Sequence, residues 1–466
     1  MKAMGYVAER GSLYVLYAAL LIGSLWSGGY FLAPKWVLIT MLLAAGAWEL
    51  AVWLRFRPRR TLRSPAFWIL SAFAVFAAAG VAWSVVPPDT IREVLLLCGY
   101  LATLLVVLSQ ARRYRGTAAS VAAWLVYAAA FIAAWGVAAY ILRAPPYTTL
   151  LDNIYRAGST FEYPNALSCF CLMALPLTFA LLARAPERDR PLFAAAAALQ
   201  VTAIILAFSR LGVAMLAVIS IFYILGFRRR LTLPVLISLA SGAIAAGLAV
   251  ALTGAQRPAA AVAAATALML AAYLGQQLAT AMQGRAHRAA TAAAVPLLVL
   301  AALALLARWS DRFHSVINQR FRYGIALSKL LPHRLDTYSG AEDAFHVHPL
   351  AGTGLGSFAR VYQSYAIAVY TKFAHNVVLQ TAVETGVIGA VLLAAFLLYV
   401  TGLSVWRLLT GPGVVTRSFA VSSLVFIIYN MVDWEWYIPA LTAWFMVAVA
   451  CLEAGDDEGS GGEPAL

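Results

Sequence analysis

Residues Thr371–Gly389 read TKFAHNVVLQTAVETGVIG, a polar start that runs into an apolar segment too long to sit in water. A helix beginning near Ala374 spaces Asn376, Gln380 and Glu384 four residues apart, so the three form one polar stripe with His375 beside its top. Against lipid such a stripe costs several kcal/mol per group. It therefore faces protein, a ligand or trapped water. For Gln380 and Glu384 two readings stand, a hydrogen-bonded contact between helices or part of a site.

The rest of the composition agrees with a membrane setting. Of 466 residues, 63% are hydrophobic and 12% charged, which excludes a water-soluble globule and indicates a polytopic membrane protein. A net charge of +14 would suggest nucleic acid in a soluble chain, but here the basic residues fall in short clusters between apolar runs, so no nucleic-acid partner is expected. Cys98, Cys169, Cys171 and Cys451 lie in or beside apolar runs without a C-x-x-C spacing, which indicates neither zinc nor a disulfide framework. The first apolar run follows Lys2 and Arg10 like a signal sequence, yet its length and the many spans after it favour a retained anchor.

The expected fold is an all-α polytopic bundle of about fourteen transmembrane helices. The spans fall near 11–32, 36–54, 66–86, 91–109, 117–142, 163–183, 191–208, 210–227, 231–253, 258–281, 289–307, 374–404, 414–431 and 437–452. The chain then divides into a bundle over 1–307, a loop over 308–372, closing helices over 373–452 and an acidic, Gly-rich tail over 453–466. The clusters Arg55–Arg63, Arg112–Arg115, Arg184–Arg190 and Arg228–Arg230 occupy alternate connectors, so the positive-inside rule places them and both termini in the cytoplasm of a bacterial inner membrane. The loop then lies outside. It carries His314, His333, His346 and His348, and its pattern predicts two short interfacial helices near 315–331 and 335–345, followed by the turn-rich HPLAGTGLGSF at His348–Phe358.

The unusual polar residues map to the outer face although they are distant in sequence. Arg210, in FSRLG between two apolar runs, sits at the membrane boundary, where its fork suits a phosphate or carboxylate or else snorkels to headgroups. Arg156 precedes AGSTFEYPNALS, which sets Tyr163 and Asn165 at the mouth of the sixth span, as ligand contacts or as a plain turn and cap. Arg334 lies in HRLDTY, and the His346/His348 pair lacks further ligands at metal-binding spacing. In YNMVDWEWY, Asp433 and Glu435 either chelate a cation beside a diphosphate or pair with an arginine. The chain has no phosphate loop opening a soluble helix, no G-x-S-x-G elbow and no sizeable cytoplasmic domain for ATP. Arginines imply an anion, the lipid border a lipid carrier, and the aromatic residues sugar rings. Together these suggest a lipid-diphosphate glycan.

The segments GSTFEYPNALS, FSRLG, the helix from Arg334, HPLAGTGLGSF and above all H-N-x-x-L-Q-x-x-x-E-x-G-x-x-G resemble the bacterial O-antigen ligase and O-antigen polymerase superfamily of integral-membrane glycosyltransferases. The resemblance implies that His375 activates an acceptor hydroxyl and that Arg210 and Arg334 bind an undecaprenyl-diphosphate donor. No cofactor or metal is expected, and the acceptor is a glycan, a lipid or a protein. Asn376 or Glu384 would orient His375, with Gln380, Arg156, Tyr163, Asn165, Asp433 and Glu435 in support. The Ala-rich pair 231–281 reads as an extra hairpin relative to the twelve spans of many ligases. A transporter of lipid-linked sugars is the competing class; it would need substrate groups at mid-membrane and on both faces.

Overall fold

The computed structural model describes residues 2–56, 63–151, 154–226, 232–254, 256–259, 261–262, 266, 273, 327–367, 370–411 and 413–455. In chain order the helices are α1 (Lys2–Leu25), α2 (Leu32–Phe56), α3 (Pro65–Ala79), α4 (Pro87–Arg113), α5 (Thr117–Leu142), α6 (Pro164–Arg184), α7 (Arg190–Leu206), α8 (Arg210–Gly226) and α9 (Thr232–Gly254). They continue as α10 (Leu327–Val347), α11 (Phe358–Tyr362), α12 (Val377–Thr410), α13 (Val414–Asn430) and α14 (Pro439–Ala454). Among the described residues, seven helices are long and apolar enough to cross a membrane, and four shorter apolar helices accompany them. The expected span 289–307, all but six residues of the span 258–281, the helix start at 315 and the tail from 456 lie outside the described residues.

Three expectations need correction. The helix placed at 335–345 belongs to one longer element, α10, which runs through both Pro332 and Gly340 without ending. The span placed at 374–404 starts at Val377 and ends at Thr410, because Asn376 takes the N-cap and its side chain accepts from Leu379 N at 3.0 Å. The chain is also not wholly helical. β1 (Thr148–Leu151) pairs antiparallel with β2 (Ile154–Ala157), Thr148 facing Ala157 and Leu151 facing Ile154, in a stretch rich in β-branched and aromatic residues.

The chain forms two compact units, residues 1–118 with 326–466, and residues 119–325. In the first, α4 packs on α2 and α14, and small residues set the spacing. A Cβ on Gly99 would press on Leu42, and one on Gly46 would overlap Ala102. Polar links reinforce the packing: buried Glu49 accepts from Ser12 Oγ at 2.6 Å and from Gln110 Nε2 at 2.9 Å. An aromatic core surrounds Phe445, whose ring stacks on Phe426 at 4.5 Å with Trp436 against both. In the second unit α7 packs between α6 and α9, and Thr202 reaches the Gly242 carbonyl at 3.2 Å where the helices touch most closely.

The feature that positions the site is a break in α12. Gly386 has φ 65° and ψ −171°, a region essentially closed to other residues, and the break leaves backbone groups unpaired inside an apolar helix. The glycine-rich turn at 348–358 satisfies them. Val387 N donates to Pro349 O at 2.8 Å, while Glu384 O accepts from Gly354 N at 2.8 Å and Val383 O from Thr353 Oγ1 at 3.2 Å. Gly352, Gly354 and Gly356 all have positive φ, and a Cβ on Gly352 would overlap the Glu384 backbone. Thr90 and Trp83 fix the turn from its far side by donating to the carbonyls of Leu355 and Ala351, at 2.8 and 3.1 Å.

Candidate functional site

The turn of residues 371–376 enters α12 with His375 in the left-handed region at φ 55°. For a residue with a Cβ that conformation is disfavoured by about 1–2 kcal/mol and survives only where its surroundings impose it. Here they do so on every side. Gln380 Oε1 accepts from Ala374 N at 3.0 Å, Asn376 caps the helix and donates through Nδ2 to Met431 O at 3.1 Å, and Tyr338 OH of α10 donates to His375 O at 3.4 Å.

The side chain of His375 is fixed by Asp433, whose Oδ1 lies 2.9 Å from Nδ1. Asp433 is almost wholly buried, and the same oxygen accepts from Trp434 N at 3.1 Å. A proton on Nδ1 donated to the carboxylate leaves Nε2 as the ring's acceptor, and with about a quarter of the side chain exposed a reacting hydroxyl has a way in. The orienting group is thus Asp433 rather than Asn376 or Glu384. His375 is thus one partner of Asp433, a pairing that neither of the two readings of the sequence named.

Glu384 acts one layer further in. Its carboxylate accepts from Gly356 N at 2.9 Å, Phe358 N at 3.3 Å and Gln380 Nε2 at 3.0 Å. The polar stripe therefore runs from the glycine turn through Glu384 and Gln380 to the amide just before His375. Asn376 leaves the stripe, since it caps the helix instead of joining its face.

Glu435 occupies the short 3-10 turn Glu435–Tyr437, fully buried, and neither carboxylate oxygen has a hydrogen-bond partner among the described residues. Burial first and the charge of Asp433 second push its carboxyl well above the usual carboxylate range, and the Arg334 guanidinium opposes the shift. Arg334 of α10 carries a buried Nη1, likewise unpartnered among the described residues. The first unit therefore brings together His375, Asp433, Glu435 and Arg334 from three separate segments.

The second unit holds the other expected residues. Arg156 lies on β2, only 5% exposed, with Nε donating to Ala207 O at 2.9 Å and Nη2 to Asn165 Oδ1 at 2.8 Å. Asn165 Nδ2 donates to Tyr163 OH at 3.1 Å, so the three form one chain of hydrogen bonds. Arg210 opens α8 directly after Ser209, whose Oγ accepts from Gly212 N at 3.2 Å and caps the helix.

Sequence reasoning missed Tyr338, one turn along α10 from Arg334, and the pair Lys35 and Glu93, whose charged groups are 2.9 Å apart and partly buried. The four-residue spacing of Arg334 and Tyr338 was the available signal for the first. No curated protein gives a significant match to the chain. Residues 241–394 match the family described as O-Antigen ligase, a stretch that takes in α10, the glycine turn, His375 and the break in α12. With its long apolar helices the chain is a membrane protein, and over the stretch 241–394 it is similar to the O-antigen ligase family.

Proposed function

We propose that the chain is an inverting glycosyltransferase that moves a glycan from an undecaprenyl-diphosphate carrier to an acceptor hydroxyl at the outer face of the bacterial cytoplasmic membrane. The observation that carries the reading is the His375–Asp433 contact, which orients an imidazole for proton transfer at the mouth of an apolar helix. Nε2 of His375 takes the hydroxyl proton as the hydroxyl oxygen forms its bond to the anomeric carbon. The bond from that carbon to the diphosphate breaks on the opposite side, and the diphosphate leaves with the electron pair, inverting the centre. Asp433 stabilises the imidazolium that forms, and a base so placed contributes about 10²–10⁴ in rate.

Arg334 supplies a buried guanidinium N–H for a phosphate oxygen, and Glu435, driven toward its neutral form, competes less for that cation than a carboxylate would. Guanidinium charge offsets the charge building on the leaving group, so the step is written without a metal. Arg210 keeps the donor-binding role that the family resemblance implies.

The test is glycan transfer in membranes that contain lipid-linked donor. His375→Ala abolishes transfer while expression and donor binding stay near wild type; full activity in that variant removes the base assignment. Product form separates the two activities of the superfamily: a ladder from lipid-linked repeats alone identifies a polymerase, and a single transfer that needs a second acceptor identifies a ligase. Movement of labelled lipid-linked glycan across liposomes with its linkage unchanged would instead identify a transporter.

A further inference from the structure

Beside the His375 turn the first unit contains a cavity of about 380 Å³. That volume lies within the range of about 300–1,000 Å³ usual for small-molecule sites. One wall is aromatic, formed by Tyr30, Phe373 and Tyr437. The wall is stiff: Phe373 stacks on Trp434 with centroids 4.5 Å apart and on Tyr437 at 5.2 Å, and Tyr30 leans on Phe373 at 6.1 Å. The lining also contains two ion pairs, Lys35 with Glu93 and Arg92 with Asp89, each at 2.9 Å.

An ion pair withdrawn from water adds little net stability, because desolvation offsets the attraction. Lys35 and Glu93 are nonetheless 12% and 16% exposed, and they line a cavity that packing has not closed. Together the pairs offer charged donors and charged acceptors side by side. Lys372 and Glu384 line the cavity as well, so three cationic side chains face three carboxyl groups, and a phosphate or a carboxylate would be repelled about as much as it is attracted. A neutral polyol uses both signs, since each hydroxyl donates to a carboxylate and accepts from an ammonium or guanidinium. Aromatic rings in the same lining as such groups suit a ring with apolar C–H faces. Phe373 is two residues from His375, and Trp434, its stacking partner, adjoins Asp433.

We infer that this cavity binds a neutral pyranose unit of the acceptor glycan, held by the Lys35–Glu93 and Arg92–Asp89 pairs against the Tyr30–Phe373 wall, and delivers its hydroxyl to His375. The word acceptor rests on the transferase reading above; the sugar site itself does not. The experiment uses the full chain in lipid nanodiscs and, as probe, neutral oligosaccharides released by mild acid from the host's own surface polysaccharide. Calorimetry shows binding to the wild type and to His375→Ala alike, and a Kd raised about ten-fold or more in Tyr30→Ala, the loss expected for about one charge-assisted or aromatic contact. Lys35→Met combined with Glu93→Gln, which keeps side-chain volume, gives the same loss and guards against misfolding of the first variant. No binding by the wild type, an unchanged Kd in both variants, or displacement of the sugar by inorganic pyrophosphate overturns the site. In the transfer reaction the variants raise the KM for acceptor and leave that for donor unchanged. A rise in donor KM alone overturns the acceptor assignment, and sugar binding without any transfer by the wild type leaves the site standing while refuting the transferase reading.

Discussion

His375 Nδ1 meets Asp433 Oδ1 at 2.9 Å across a separation of 58 residues. Two apolar helices, the long α12 and the shorter α13, lie between them in sequence, and their packing against each other returns the chain to its starting level. The neighbouring residues repeat the junction, since Asn376 Nδ2 also donates to Met431 O across it at 3.1 Å. Two side chains at the head of one helix thus hold the turn that leads into α14, and the same contacts keep a left-handed histidine in place.

Replacing Asp433 by Asn tests whether that contact serves catalysis or only the fold. The amide has the carboxylate's shape but no charge to stabilise an imidazolium, so the transfer rate should fall by about 10²–10⁴ while protein level and donor binding persist. The rate is read in membranes supplied with labelled lipid-linked glycan. A variant that transfers as fast as wild type would show that Asp433 only shapes the turn.

Arg334 has an unpartnered buried Nη1 among the described residues, which a lysine cannot reproduce. Arg334→Lys keeps the charge and loses the planar fork, so apparent donor affinity should weaken by about ten-fold, or ~1.4 kcal/mol. Saturation with purified donor measures it. Arg210→Lys belongs in the same assay, because near-normal donor affinity there would support the snorkelling alternative that its sequence setting left open.

Glu435 predicts a pH dependence with a definite sign. Its folded-state pKa is raised, by burial first, so the folded form holds its proton more tightly than the unfolded chain does. The stability it contributes is complete below the ordinary glutamate value of about 4.3 and is lost as pH rises through the higher folded value. Glu435→Gln cannot ionise and should show a flatter fall in thermal midpoint over that window. Parallel melting profiles for both proteins, from acid to neutral pH in one detergent, would exclude Glu435 as the titrating group.

Much of this arrangement was legible in the sequence, and the remainder was hidden for physical reasons. The polar stripe disclosed that Gln380 and Glu384 are buried, because lipid forbids the alternative, but four-residue spacing says nothing about what a stripe faces. Its partners are amides of Gly356 and Phe358, nearly thirty residues upstream. The helix start was placed three residues early, although an Asn ahead of an apolar run is itself an N-cap signal. Asp433 was recognised as a site candidate, but its contact with His375 was not foreseen, since no spacing in the sequence links residues 58 positions apart. The β1–β2 hairpin was missed because two four-residue strands vanish beside long apolar runs.

The break in α12 gives the last prediction. At Gly386 the backbone adopts φ 65° and ψ −171°, and a Cβ there would overlap the backbone of Leu350 and Ala351. Gly386→Ala therefore meets strain of about 1–3 kcal/mol from the dihedrals alone, with the clash in addition. Relief requires either a continuous helix, which would strip Val387 N from Pro349 O, or retreat of the glycine turn, which would take the Gly356 and Phe358 amides from Glu384. Either path reaches the amide before His375 through Gln380, so activity should fall together with the thermal midpoint. Gly402 lies in the same helix, where a Cβ would meet nothing within 4 Å among the described residues, and there Gly402→Ala should stabilise by about 0.5–1 kcal/mol and leave transfer unchanged. Equal melting shifts in the two variants would mean that helix propensity, and not the fitted break, sets the response. A loss confined to Gly386→Ala would tie the geometry of the break to the histidine it supports.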